Sequence, residues 1–455
     1  MAGVLLSAIA TPLVTRHLGE VGYGRYVFVT QVIAIVAALT DVGLANLGIR
    51  AYELEPLPGR ERLIRDLLGL RGSLTIAGGI GAVAFAVITD RPSVVVAGTA
   101  IAGIGFLITV IQTTYQTPLA TALRLNAIAV VEFSKQAVTV AATIVLVAVG
   151  ASLLPFYAVT IAGGLVALGI NLWILRGKLP YVPAFDGRRW QDLVRNAPAY
   201  AVASAIGFIY FRLEVVMVAL LGTADQAGSF GVSFRIVEIL AAIPLFASVS
   251  LFPLLVRAGH DDELRLASMA QRMTDVYVLG GAALGLSLVV GAPLVIQVAA
   301  GGEFEGAVTP LRLMGGALFA TFLISAWGYS LLALNRFRSL LYANLGALVL
   351  AAILTVALVP DHGATGGAIA GALTEVALAI AYIVMLARAG VSLVPALSTA
   401  WRVAVASAAA LGVAFASGRS SGVALVIALA IFVVGAGLLR ALPREALDAF
   451  RARRD

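Results

Sequence analysis

The chain of 455 residues contains no cysteine. Disulfides, zinc-thiolate sites and iron-sulfur clusters are thereby excluded, and the redox compartment leaves no mark on the sequence. Histidine is almost as scarce: His17, His260 and His362 lie far apart, which argues against a histidine metal site. Charge is the third shortage. Asp, Glu, Lys and Arg make up 12% of the residues, about half of the roughly 25% of a soluble domain. A formal net charge of +7 is compatible with nucleic-acid binding only if basic residues gather on one exposed face, and here they are spread along the chain. No G-x-x-x-x-G-K-[ST] run is present, so nothing suggests a P-loop for ATP.

What fills the chain instead is apolar. Hydrophobic residues account for 61% and the mean hydropathy is +1.00, more apolar surface than a water-soluble fold of this size can hide. The excess must face lipid. Breaks at charged and turn-rich segments leave continuous apolar runs, many of roughly the 20 residues that cross the hydrocarbon as helix. Transmembrane β-strands would be shorter and alternating. The expectation is an all-α integral membrane protein with about fourteen transmembrane helices, among them 2–15, 26–48, 340–359, 366–387, 400–416 and 422–440. The first run is short, so either the helix is short or the true start lies upstream of Met1.

Lys and Arg fall mainly in every second loop and in the C-terminal tail, whereas Arg16, Arg25, Arg91 and Arg419 lie in the opposite loops. By the positive-inside rule this places both termini in the cytoplasm of a multi-pass protein of the cell membrane. A weak internal repeat sets Leu18-Gly19 and Gly24-Arg25-Tyr26 beside Leu221-Gly222 and Gly228-Ser229-Phe230. Six spans separate the two, so the halves share one orientation. The expected organisation is an N-terminal lobe 1–175, a cytoplasmic linker 176–196, a C-terminal lobe 197–387, and two further helices with a cytoplasmic tail in 388–455.

The run Pro12-Leu13-Val14-Thr15-Arg16-His17-Leu18-Gly19, followed by Gly22-Tyr23-Gly24-Arg25-Tyr26, Asp41-Val42-Gly43-Leu44 and Ile49-Arg50, resembles the N-terminal signature of Wzx-type polysaccharide flippases. These belong to the superfamily of MATE and oligosaccharidyl-lipid/polysaccharide exporters. Glu214, Leu221-Gly222, Gly228-Ser229-Phe230, Arg235-Ile236-Val237-Glu238 and Phe252-Pro253 extend the likeness, although the family usually has Asp at the position of Glu214 and Tyr at that of Phe230. The motifs cover about 1–60 and 205–260. The resemblance implies two six-helix lobes around a central cleft, and alternating access that carries an undecaprenyl-pyrophosphate-linked oligosaccharide across the cytoplasmic membrane for cell-surface polysaccharide synthesis. The alternatives are a MATE-like cation or multidrug antiporter and a lipid II flippase. An enzyme is not expected, because the longest loops, 49–71 and 176–196, are too short to hold a sugar donor. No cofactor is expected, with H+ or Na+ coupling left open. The expected partners are the lipid-linked oligosaccharide, membrane lipids and other polysaccharide-assembly membrane proteins, with no nucleic acid.

A charge at the centre of a membrane helix costs about 2.5 to 3.5 kcal/mol on insertion scales, so charges within spans mark candidate sites. Arg212 and Arg235 are candidates to grip pyrophosphate, since a guanidinium matches phosphate oxygens bidentately. Interhelical salt bridges, Arg212 to Glu238 or Glu214 to Arg235, are the equal alternative. The repeat register aligns Gln31 with Arg235. Arg16, Arg25 and Arg50 are candidates to meet phosphate at the cleft mouths, against a plain role as loop or headgroup charges. Glu132 and Lys135 share a helix face and are expected to neutralise each other. Asp41 and Glu375 have no charged neighbour at helical spacing, so either an ion-coupling role or an interhelical hydrogen bond is open. Pro244, mid-helix, is a candidate hinge, and Gly281/Gly285 and Gly367/Gly371 read as close helix packing.

Overall fold

In a computed structural model the described residues are 2–41, 43–175, 182–195, 199–261, 263–391, 394–418, 420–439 and 441. Arg419 and almost all of the expected tail lie outside them. The regular elements of the described residues are all helical, with no strand among them. Contacts divide the chain into two compact units, Met1–Leu220 and Leu221–Asp455.

The first unit contains α1 (Ala2–Asp41), α2 (Leu44–Leu54), α3 (Leu57–Ile88), α4 (Ser93–Tyr115), α5 (Thr117–Thr121), α6 (Leu125–Ala148), α7 (Leu153–Leu175), α8 (Gly187–Arg195) and nearly all of α9 (Ala199–Leu221). The second contains α10 (Ala224–Asp261), α11 (Glu263–Ala299), α12 (Val308–Ala333), α13 (Phe337–Arg388), α14 (Val394–Ala416) and α15 (Ser421–Leu438). The expected boundary lay in 176–196, whereas the contacts group α9 with the first unit. Three contacts hold it there. A Cβ on Gly43 would lie 2.5 Å from that of Ala201. The Arg212 guanidinium reaches Gln31, and the Arg91 guanidinium donates to the Ala219 carbonyl at 2.7 Å.

Among the described residues twelve helical stretches are long and apolar enough to cross a membrane, where fourteen spans were expected. The difference lies in two helices that the expected segmentation divides. α1 is interrupted at Gly19 (φ 65°, ψ 179°), and α13 at Gly363 (φ 53°, ψ −131°), neither of which is helical. α13 cannot be one rod. Its 52 residues would extend roughly 78 Å, more than twice the hydrocarbon thickness. A Cβ on Gly366 would lie 2.3 Å from the Leu358 carbonyl oxygen, yet residues eight apart in a straight helix are separated by about 12 Å of rise. The chain therefore folds back at Gly363, the run Pro360-Asp361-His362-Gly363 making the turn.

Helix packing follows the small residues. A Cβ on Gly281 would sit 3.1 Å from the Phe322 side chain, and one on Gly285 would sit 2.6 Å from the Gly315 carbonyl oxygen, so α11 and α12 approach closely along this stripe as expected. Pro244 lies inside α10. Its carbonyl accepts the Tyr277 hydroxyl at 3.0 Å, and Ser248 lies 3.0 Å from the same hydroxyl and 2.9 Å from Ser325.

The Gly363 turn yields a stability prediction. A Cβ there would lie 2.5 Å from the Gln226 side chain, and a non-glycine residue in such backbone costs about 1–3 kcal/mol. Gly363→Ala should lower the thermal midpoint of the detergent-purified protein measured by dye-monitored unfolding. Gly346→Ala, in open space within an arm of α13, should leave it unchanged or raise it.

Candidate functional site

Arg212 sits on α9, nine residues before Leu221 and so about 13 Å from that end. The flanking residues are apolar, including Val215, Val216 and Val218, all buried. One turn earlier, Phe208 places its ring 4.2 Å beneath the guanidinium, a cation–π contact that helical spacing of four residues makes available. From the other side, buried Gln31 on α1 accepts Nη1 through Oε1 at 2.6 Å. Gln31 is the polar residue that the repeat register had aligned with Arg235, and the fold brings it to Arg212. The C-terminal end of α9 is held by Arg91, in the turn between α3 and α4, which donates to the Ala219 carbonyl and stacks 5.0 Å from Phe28. Burial pulls the Arg91 guanidinium below the usual arginine range, but an arginine remains charged at any physiological pH.

Glu214 is buried two residues further along α9. On α10, Arg235 Nη1 meets Glu238 Oε2 at 2.5 Å, one helical turn away. Lys135 and Glu132 on α6 lie 3.9 Å apart, as expected, and Glu132 Oε1 also accepts from Gln112 at 3.2 Å and Gln116 at 2.9 Å. Buried Glu375 on α13 accepts the Thr321 hydroxyl of α12 at 2.9 Å, which is the interhelical hydrogen bond among its open alternatives. Arg16 and Arg50 are exposed, and Arg25 is half-buried with its carbonyl accepting the Tyr157 hydroxyl at 3.1 Å.

Asp41 has no charged neighbour at helical spacing on its own helix, and the structure gives it one on α3. It is the last residue of α1, and its Oδ1 pairs with Arg71 Nη2 at 2.9 Å. The same guanidinium donates to Thr114 at 2.7 Å and Thr113 at 3.3 Å on α4. Arg71 is buried and ties three helices together. It had been assigned to the loop 49–71, because hydropathy ends a span at the first charges and cannot see that α3 continues through them from Leu57. Spacing along one helix, in turn, cannot show a partner on another. The polar run Gln112-Thr113-Thr114 closing an apolar helix was the available signal: Gln112 and Thr114 are fully buried, and Gln112 also offers its carbonyl to Asn171 of α7 at 3.0 Å. Among the described residues no three His, Asp or Glu side chains gather as a metal site would need.

Residues 1–258 match the family described as polysaccharide biosynthesis protein. The chain belongs to that family. The matched region includes the Arg212–Gln31 contact, the Asp41–Arg71 pair and the Arg235–Glu238 pair. No curated protein matches the chain. Among solved structures, it is similar to the lipid II flippase MurJ in an inward closed conformation, with a TM-score of 0.74 at 10% identity over 96% of each chain. It is also similar to a multidrug resistance MATE family transporter of the MOP superfamily in an inward-facing conformation, with a TM-score of 0.69 at 13% identity, covering 85% of this chain and 94% of that one. A MOP superfamily transporter from Pyrococcus furiosus scores 0.58 at 14% identity, over 85% of this chain and 92% of that one. At these identities the likeness is one of fold. Family and fold together support a multi-pass membrane protein of the polysaccharide biosynthesis family with the fold of these flippase and transporter structures.

The Asp41–Arg71 pair predicts a non-additive response. Removing one member of a buried pair leaves an uncompensated charge and costs about 3–5 kcal/mol, less when a partner is partly solvated as Asp41 is. Asp41→Asn should lower the thermal midpoint, and Asp41→Asn combined with Arg71→Gln should recover part of the loss. Additive losses in the double variant would show that the two side chains are not coupled.

Proposed function

We propose that the protein carries an undecaprenyl-pyrophosphate-linked oligosaccharide across the cytoplasmic membrane by alternating access, in the service of polysaccharide assembly. The observation that carries the reading is Arg212: a guanidinium within an apolar helix, oriented by Gln31 and Phe208, in a chain of the polysaccharide biosynthesis family. A guanidinium fork pairs two parallel N–H groups with phosphate oxygens. Gln31 is a neutral acceptor that arriving phosphate oxygens can replace at Nη1. Arg235 is the second candidate ligand, and its exchange from Glu238 to phosphate would free a carboxylate. Glu214, Glu375, Asp41 and the Glu132–Lys135 pair are the groups available for ion coupling, while Arg16, Arg25 and Arg50 would meet the headgroup on entry or exit.

The reading takes the breaks at Gly19 and Gly363 as turns outside the hydrocarbon, so that α1 and α13 each cross twice and the crossings number fourteen. With both termini in the cytoplasm the substrate anion moves outward, away from a negative interior. The membrane potential then assists by about 2.3 kcal/mol per charge per 100 mV, and ATP is not needed.

The test is reconstitution in liposomes with a fluorescent undecaprenyl-pyrophosphate oligosaccharide on one leaflet. Arg212→Ala should reduce flipping by about 10- to 100-fold, the loss of one charge-assisted hydrogen-bonding group at about 1.5–3 kcal/mol, with the thermal midpoint retained. Arg212→Lys should recover only part, since an ammonium lacks the planar fork. Wild-type-like flipping by Arg212→Ala removes the phosphate role. Efflux of a cationic dye without movement of any pyrophosphate lipid favours the multidrug antiporter instead.

A further inference from the structure

The segment 182–195 is the described part of the expected linker, and it does not hang free. The Arg65 Nε donates to the Val182 carbonyl at 3.1 Å, and the Ala184 amide donates to the Arg65 carbonyl at 2.9 Å. Arg62 meets Asp186 at 3.5 Å, and Arg189 meets Asp66 at 2.7 Å and Glu55 at 3.8 Å. Trp190 lies over Gly69, where a Cβ would be 3.0 Å from its Cζ2. Leu193 packs on the cluster of Leu63, Ile64, Leu67, Leu68 and Tyr115. Arg189, Trp190 and Leu193 thus form the inner face of α8.

The outer face is different. Arg188, Gln191 and Arg195 are all exposed, and their spacings of three, four and seven put them in one stripe. Immediately before them Phe185 is 73% exposed, its ring edge against Trp190 at 5.8 Å, and Val182 is exposed as well. Helix α3 fixes the height of this face. Its residues 72–88 carry no charge, whereas 60–71 contain Arg60, Glu61, Arg62, Arg65, Asp66 and Arg71. The hydrocarbon boundary therefore falls near Arg71. The anchors at Gly69 and Arg65 lie about 3 and 9 Å from it along the helix axis, the depth of the lipid headgroups.

We propose that 182–195 is an interfacial lipid-binding element, in which Arg188 and Arg195 engage the phosphates of anionic lipids while Phe185 and Val182 enter the acyl boundary. The pairing of exposed basic residues with a large exposed ring is the composition of a helix that lies in the interface plane, and its positive stripe complements an acidic leaflet. A headgroup layer is the surface already present at this depth, so no further partner is required.

The absence of cysteine allows a direct test. Gln191→Cys in the full chain, carrying a nitroxide, is compared in phosphatidylcholine vesicles and in vesicles with about 30% phosphatidylglycerol, where accessibility to a water-soluble nickel chelate should fall by about twofold or more. Adding Arg188→Gln and Arg195→Gln should abolish the difference, with the thermal midpoint confirming that the variant is folded. Equal accessibility in both vesicles overturns the proposal. Protection that persists in detergent micelles also overturns it, because the cover would then be protein.

Discussion

A charge can be carried on an apolar helix only if something in the fold compensates it, because lipid offers no water to do so. That constraint shapes most of the polar chemistry of this chain. Arg71 is buried among three helices and is satisfied by Asp41, Thr113 and Thr114. Glu132 collects Lys135, Gln112 and Gln116. Arg235 closes on Glu238, Glu375 on Thr321, and Arg212 on Gln31 and the face of Phe208. The Asp41–Arg71 pair fastens α1 to α3, and a neutral amide and an aromatic ring orient the Arg212 guanidinium.

The same constraint explains the backbone. Every amide and carbonyl exposed to lipid must be satisfied within its own segment, so the chain is built from long helices and changes direction only where the bonding can be surrendered cheaply. Glycine supplies the required backbone at Gly19 and Gly363, neither of which has helical torsions. Small residues then set how closely helices approach, as at Gly281 and Gly285 against α12. Where helices extend beyond the apolar zone, as α3 does from Leu57 to Arg71, charged side chains return and tie the linker in place through Arg62, Arg65, Asp66 and Arg189.

The family was legible because its signature is local: contiguous motifs around 12–50 and 214–253 survive reading in one dimension, and the match over 1–258 includes all of them. The Glu132–Lys135 pair was legible for the same reason, as residues three apart on a helix share a face. Arg71 was not, since its charge placed it in a loop by hydropathy although it lies mid-helix and buried. Gln31 was read as a counterpart of Arg235 and proved to be the acceptor of Arg212, a contact across 181 residues of sequence.

Composition and hydropathy by themselves determined that this is an all-helical membrane protein and where charge is anomalous, because transfer to lipid depends on one segment at a time. Only the tertiary structure decided which partner meets each charge. It paired Asp41 with Arg71 and Gln31 with Arg212, grouped α9 with the first unit, and laid 182–195 on α3. Those contacts depend on distances between helices remote in sequence, and no periodicity within a helix encodes them.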